Sequence, residues 1–463
     1  MHDSSPTSNR KIVQAIRHRM ILITIISALG GLVLGVDSGA ISGAVLFLKS
    51  AFHISIFQSE LMVSALVIGA MVGSALAGRS ADKFGRRTVL AASSLLVAVF
   101  GVGTALAPTY SVMLTFRLLS GVAVGVIVVV GPIFASEFAP SQARGKMVGA
   151  FQLAVAVGLE LAYWMNVVFG KQTVWRDMFL WIVVPSVTLF GSLLFVPDTP
   201  RWYFIRGAER QGERALTWMF GSTEVKNKET QRIKEEIDKT KYLSQEKWTA
   251  LLKPNVRQAL IFGIGFAVIE QLTGIKSVTY YGPMIFTFAD FSKSQALVVT
   301  AWIGILTVCA TIAGLMLIDR WGRRPLILTS LVGMALSMMA LGVAFALGKG
   351  IVSLPVLTVG SIMLFHLSYS IGIGIMGWVL LPEIFPNRLR GRSQSVTKVV
   401  NWIAGLAVSL GFLSLSHAAG PSVTFFIFAL VVVAGLIFTY RLTPETKGRP
   451  LETAETLWRN GSF

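Results

Sequence analysis

Asp37 is the only charged residue in the apolar run from Ile26 to Leu48. A run of about 20 apolar residues is what an α-helix needs to cross the hydrocarbon core of a bilayer. A carboxylate inside such a helix is costly and marks the path of an ion or a substrate. Apolar surroundings favour the neutral acid over the carboxylate unless a cation sits nearby. An acid that loads and releases a proton within a membrane is what proton-coupled transport requires.

The elements that must hold Asp37 follow from composition. Hydrophobic residues make up 54% of the 463 and charged residues 14%, with a mean hydropathy of +0.68, outside the usual range of soluble domains. Apolar runs recur at 20–47, 59–78, 88–107, 110–134, 147–169, 176–196, 256–286, 294–318, 324–347, 352–381, 393–416 and 421–441, which predicts twelve transmembrane helices and an all-α integral membrane protein.

The net charge of +18 suggests nucleic acid until its distribution is read. Arg10, Lys11, Arg17 and Arg19 precede the first run, and Arg79, Lys83, Arg86 and Arg87 follow the second. Arg144 and Lys146 follow the fourth, Arg320, Arg323 and Arg324 the eighth, and Arg388, Arg390 and Arg392 the tenth. The alternate loops are poor in positive charge, with none between the third and fourth runs and Lys349 alone between the ninth and tenth. Basic loops stay on the cytoplasmic side, so both termini are expected there, in a cell (inner) membrane. The basic excess is topological, and no nucleic-acid partner is implied. Cys309 is the sole cysteine, which leaves no internal disulfide. The first twenty residues are too polar for a signal-peptide core.

The chain also repeats. A polar segment from about Asp198 to Pro254 separates two groups of six runs. GRSADKFGRR (Gly78 to Arg87) returns as IDRWGRR (Ile318 to Arg324), SEFAPSQARGK (Ser136 to Lys146) as PEIFPNRLRGR (Pro382 to Arg392), and PDTPR (Pro197 to Arg201) as PETKG (Pro444 to Gly448). The offsets are 237 for Asp82 to Asp319, 246 for Glu137 to Glu383 and Arg144 to Arg390, and 247 for Asp198 to Glu445. Such internal symmetry characterises secondary transporters. The expected parts are an N-terminal tail (1–19), a first half (20–197), a linker with short helices (198–255), a second half (256–442) and a C-terminal tail (443–463). Asp82, Arg86, Arg87, Glu137 and Arg144, with Asp319, Arg323, Glu383 and Arg390, form candidate charge clamps at helix ends. Clamps of this kind can close a gate in one state and break in the other.

These motifs, with FRLLSGVAVG, QLTGIKSVTYYGP, GWVLLPEIFPNRLRG and PETKGRPLE, resemble the sugar porter family of the major facilitator superfamily over essentially the whole chain. The resemblance implies two pseudo-symmetric six-helix halves and a monosaccharide or polyol carrier that works by alternating access. It implies no cofactor and no metal, and a monomer suffices. Family members with an acid at the position of Asp37 are similar to proton symporters. Arg117 matches the family's partner for that acid, pairing with it when no proton is bound. Gln152, Gln271, Tyr280, Trp378 and Asn401 fall at family sugar-binding positions. Their amides can match hydroxyl pairs, and the indole offers a flat apolar face.

The chain departs from this pattern at charged positions. The seventh run reads Glu270-Gln271-Leu272-Thr273-Gly274-Ile275-Lys276, with a carboxylate for an amide and Lys276 for an asparagine. Glu160 is added in the fifth run, and Thr307 stands where asparagine is expected. Three charges near a midplane cavity need partners. Lys276 can be neutralised by Glu270 or Glu160, it can grip a substrate anion, or one of the acids can be a second proton site. Other classes remain on the sequence. A facilitated uniporter shares the fold but leaves Asp37 unexplained, and a carrier of a sugar acid, cyclitol acid or other organic acid uses Lys276. A drug antiporter lacks the PETKG and GWVLLPEIFP signatures. An enzyme is not expected, because no triad, HExxH, Walker or Rossmann pattern is present. His366, the one histidine deep in a run, reads as a packing residue.

Overall fold

The computed structural model describes residues 6–139, 144–170, 175–221, 223–243, 250–251, 254–348, 354–385 and 389–447. The first six runs fold as α1 (Pro6–Phe52), α2 (Ile56–Phe84), α3 (Arg86–Leu106), α4 (Tyr110–Phe138), α5 (Arg144–Gly170) and a sixth span divided into α6 (Trp175–Leu180) and α7 (Val183–Leu193). Three polar helices follow, α8 (Pro200–Ile205), α9 (Glu209–Phe220) and α10 (Thr223–Leu243). The second half comprises α11 (Pro254–Leu272), α12 (Ile275–Phe288), α13 (Lys293–Trp321), α14 (Arg323–Leu347), α15 (Leu354–Ile371), α16 (Ile373–Ile384) and α17 (Arg390–Leu442).

Twelve spans are recovered among the described residues, with four local differences from the runs besides the divided sixth span. Helix α1 has 47 residues, or about 70 Å at 1.5 Å per residue, more than twice the hydrocarbon thickness of about 30 Å. Its basic first turns therefore project beyond the membrane as a continuation of the span. The seventh span breaks at Gly274 (φ 91°) and the tenth at Gly372. The eleventh and twelfth spans form one element, α17, bent at Gly420 (φ 83°). Pro421 follows the bend and has no N–H for the preceding turn, so the twelfth span starts afresh there.

The internal repeat extends beyond the motifs. Ser55 and Gln58 form a capping box at the start of α2, and Ser292 and Gln295 form the same box at the start of α13. The offset between the serines is again 237. Gly85 (φ 95°) and Gly322 (φ 94°) make the corresponding turns out of these helices. A side chain at either would be strained by the positive φ and would meet the carboxylate of Asp198 or of Glu445.

Apolar side chains face two environments. Phe134, Phe151, Phe266 and Phe286 are buried between helices, whereas Val356 and Leu430 are 72% and 70% exposed on the outer surface. That outward apolar shell suits lipid, not water.

Asp37 is held by close packing of α1 on α5. A Cβ at Gly35 would overlap the carbonyl oxygen of Val155 and the backbone at Leu159. Small residues of this kind let membrane helices approach backbone to backbone. Gly35→Ala must push α1 and α5 apart, at a cost of about 1–3 kcal/mol for overpacking. A lower melting temperature of the detergent-purified protein is the expected result. An unchanged transition would show that the seam is slack.

Candidate functional site

Helices α1 and α4 bring Asp37 and Arg117 together at the centre of the first half. Arg117 Nη1 donates to both carboxylate oxygens, each at 2.9 Å. The side chains are 4% and 1% exposed, so the pair is shut off from solvent. Nε and Nη2 of Arg117 have no hydrogen-bond partner among the described residues, and its guanidinium carbon lies 5.4 Å from the centre of the Phe179 ring. The arginine therefore rests on an aromatic face and on one carboxylate. Adding a proton to Asp37 removes the charge that offsets this buried cation.

In the second half a polar cluster forms where α11, α15 and α17 meet. Gln271 Nε2 donates to Asn401 Oδ1 at 3.1 Å. Asn401 Nδ2 donates to the carbonyl of Ala267 at 3.2 Å and to Glu270 Oε2 at 3.1 Å. Tyr369 donates its hydroxyl to Glu270 Oε1 at 3.4 Å. Oε1 of Gln271 is buried without a partner among the described residues, an acceptor left open for a ligand hydroxyl.

Lys276 and Tyr280 sit just beyond the Gly274 break. Lys276 Nζ donates to the Tyr280 hydroxyl at 3.3 Å and lies 5.1 Å from its ring centre. The pairing of Lys276 with Glu270 or Glu160 is not formed among the described residues. Two physical reasons account for this. The left-handed residue Gly274 separates Glu270 from Lys276, so Lys276 follows α12 and meets its i+4 neighbour. Lys398 of α17 also acts on Glu270 more strongly than Lys276 does.

The remaining candidates are dispersed. Gln152 is half-buried on α5. Both oxygens of Glu160 are buried, beside Trp164 one turn on, and the carboxylate packs into the space left by Gly304 of α13. Thr307 lies 3.3 Å from Nδ1 of the buried His366. The side chains of Trp378, Arg144, Asp319 and Arg390 lie outside the described residues.

The clamps at the terminal end form within each half. Arg86 pairs with Asp82 at 2.9 Å and with Glu137 at 3.1 Å. Its backbone N–H and that of Arg87 donate to Asp198 at 3.0 and 3.3 Å. The second half repeats this pattern. Arg323 pairs with Glu383 at 2.9 Å, and Glu445 accepts the N–H groups of Arg323 and Arg324 at 3.1 and 3.0 Å. Thr199 donates to Glu137 as Thr446 does to Glu383. Each remote carboxylate thus caps a helix N-terminus, α3 or α14, where the dipole favours negative charge. Burial pushes the Asp198 carboxyl up despite its backbone donors. For Glu445 burial is outweighed by the N–H groups of Lys447, Arg323, Arg324 and Thr446, which hold it below the usual glutamate value.

At the opposite end the halves are joined to each other. Glu60, fully buried near the start of α2, accepts the N–H of Ser414 at 2.8 Å and also its hydroxyl. One turn deeper the hydroxyls of Ser64 and Ser409 are 2.8 Å apart. Tyr163 of α5 donates across to the carbonyl of Thr279 at 3.1 Å, and within the second half Tyr281 of α12 holds Ser409 in place by donating to its carbonyl at 2.8 Å. Sequence reasoning missed Glu60, Tyr369 and Lys398. Lys398 carried a usable signal, as a lone charge within the eleventh run. Glu60 did not, because it stands at the edge of its run like any surface acid.

Two six-helix bundles, closed on each other at one end and charged along their inner faces, define a multi-pass membrane transporter of the major facilitator fold. The chain belongs to the family described as "Sugar (and other) transporter", whose profile matches residues 23–458. It is 33% identical to the arabinose-proton symporter of Bacillus subtilis over 451 residues, 95% of each chain. It is 34% identical to the D-xylose transporter of Levilactobacillus brevis, covering 93% of this chain and 94% of that one. Among solved structures, the inward-open xylose transporter XylE from E. coli superposes with a TM-score of 0.81 at 27% identity, over 95% of this chain and 100% of the other. The proton:xylose symporter XylE bound to 6-bromo-6-deoxy-D-glucose gives 0.79 at 28% identity, over 96% and 99%.

The seam at Glu60 is open to test. In a Cys309→Ser background, a Ser409→Cys reporter is expected to react slowly with a thiol reagent. Adding Glu60→Ala strips Ser414 of its acceptor, a loss of about 1–3 kcal/mol for a buried donor. Alkylation should then accelerate; an unaltered rate would mean that Glu60 does not hold the seam.

Proposed function

We propose that this chain is a proton symporter that carries a monosaccharide or polyol by alternating access. The observation that carries the reading is the isolated two-oxygen contact between Asp37 and Arg117. In the structure the acid accepts from Arg117 on both oxygens, the arrangement of the ionised form. A proton on Asp37 cancels the attraction that ties α1 to α4, and attraction between charges is strong where solvent is excluded. Proton loading and helix release are then one event.

The sugar site lies across the midline, on the family positions Gln152, Gln271, Lys276, Tyr280, Trp378 and Asn401. Support comes from the cluster of Gln271 and Asn401, whose amides supply donors and acceptors in pairs. The buried Oε1 of Gln271 has yet to be satisfied. The relatives named for arabinose and xylose transport favour a pentose, hexose or polyol of similar size.

Basic terminal-side loops argue for cytoplasmic termini in the cell membrane. The seam at Glu60 then faces outward, and this state opens to the cytoplasm. Asp82, Arg86, Arg87 and Glu137, with Asp319, Arg323 and Glu383, act as stiffeners of their own halves, beside Arg144 and Arg390. Each half moves as a block, and a single chain holds the whole path. No enzymatic step is involved.

A uniporter of the same fold has no use for a titrating acid at position 37. Asp37→Asn keeps an acceptor for Arg117 but removes the exchangeable proton. Removing one partner of a buried ion pair costs about 3–5 kcal/mol when nothing replaces it, which is why alanine is the wrong substitution. In proteoliposomes the Asn variant is expected to lose accumulation driven by a pH gradient yet to retain counterflow exchange. Undiminished uphill uptake would remove Asp37 from the coupling step.

A further inference from the structure

Three charged side chains of the second half, Glu270, Lys276 and Lys398, act on one another electrostatically. Glu270 is the one acid. Its carboxylate accepts from Asn401 and Tyr369, and Lys398 dominates the positive charge acting on it, with Lys276 second. Lys398 and Lys276 also repel one another. Lys276 itself contacts no carboxylate among the described residues.

The direct contact of Lys276 is neutral. Its ammonium donates to the Tyr280 hydroxyl at 3.3 Å and stands 5.1 Å from that ring's centre. Tyr280 is 2% exposed, so the phenol is a fixed support, while Lys276 is only half-buried and can be reached. The phenol accepts from Lys276 and keeps its own O–H to donate. Two donors, an ammonium and a hydroxyl, thus stand side by side, a match for the two oxygens of a carboxylate. The open acceptor on Gln271, on the other side of the Gly274 break, suits a hydroxyl.

We infer that the substrate is an acidic monosaccharide, a uronate or aldonate, whose carboxylate is held by Lys276 and Tyr280 while its hydroxyls meet Gln271 and Asn401. A neutral sugar leaves the Lys276 ammonium with only the neutral Tyr280 hydroxyl as its direct partner. A sugar acid brings the missing negative charge. The inference rests on the transporter reading above and narrows its substrate class.

The test uses the full-length protein in proteoliposomes with an imposed pH gradient. The probes are radiolabelled D-glucuronate and D-gluconate, each compared with D-glucose, and D-galacturonate compared with D-galactose. The acids are expected to bind at least about tenfold more tightly than their neutral parents. Lys276→Asn should weaken acid binding by about tenfold to a hundredfold or more, the range for losing one hydrogen bond to a charged group. Neutral-sugar binding should change far less. Tyr280→Phe, which deletes only the hydroxyl, should weaken acid binding in the same direction by less. The comparison in the parent protein decides the matter even if a variant fails to fold. Gradient-driven uptake of neutral sugars in preference to acids would overturn the inference and leave the symporter reading standing. Equal losses of acid and neutral sugar in Lys276→Asn would also overturn it. Gradient-driven uptake of neither class would overturn both.

Discussion

A carboxylate and a guanidinium at the centre of an apolar bundle set the terms for everything around them. Either charge alone would be prohibitive in that position. Together, with both oxygens of Asp37 on Nη1 of Arg117, they are tolerable. The tolerance is narrow because two of the arginine's nitrogens remain without acceptors. A pair so sparsely supported depends on the acid's charge. The glycine-lined seam between α1 and α5 matters for that reason: it fixes where Asp37 stands.

The two ends of the molecule use different interactions. At the terminal end, ion pairs and capped helix N-termini bind helices of one half to each other. At the far end, hydrogen bonds from Ser414 to Glu60 and between Ser64 and Ser409 cross from one half to the other. Strong contacts within a half and modest ones between halves suit motion in which the halves rock as units. Hydrogen bonds worth about 0.5–1.5 kcal/mol each can be made and broken in every cycle. The internal networks need not open at all.

Much of this was legible in the sequence. Asp37 stood out because a single acid in an apolar run has few structural explanations, and the paired motifs exposed the duplication before any helix was placed. The same duplication governs details that no motif flagged, such as the capping boxes at Ser55 and Ser292. What was hidden depended on distance in space. The position of Glu60 gave no hint of Ser414, which is 354 residues away. The sequence left two acids as partners for Lys276. The outcome turned on Gly274, whose left-handed backbone interrupts the helix between Glu270 and Lys276. Lys398 was readable by the logic that singled out Asp37.

The ion pairs described at the terminal end, from Arg86 and Arg323, each close within one half, and this bears on how the chain could be divided. The first half already holds Asp198 against Arg86, and α8 returns to it through Trp202, whose indole donates to the carbonyl of Asp82. The second half carries its own copy of the same carboxylate–helix cap. The described ion pairs of either half therefore place no demand on a covalent link between Leu243 and Pro254. Two separately synthesised fragments, divided there, would each contain a finished scaffold and would meet through the Glu60 seam. The fold is in this sense a dimer of unlike subunits that happen to share one polypeptide.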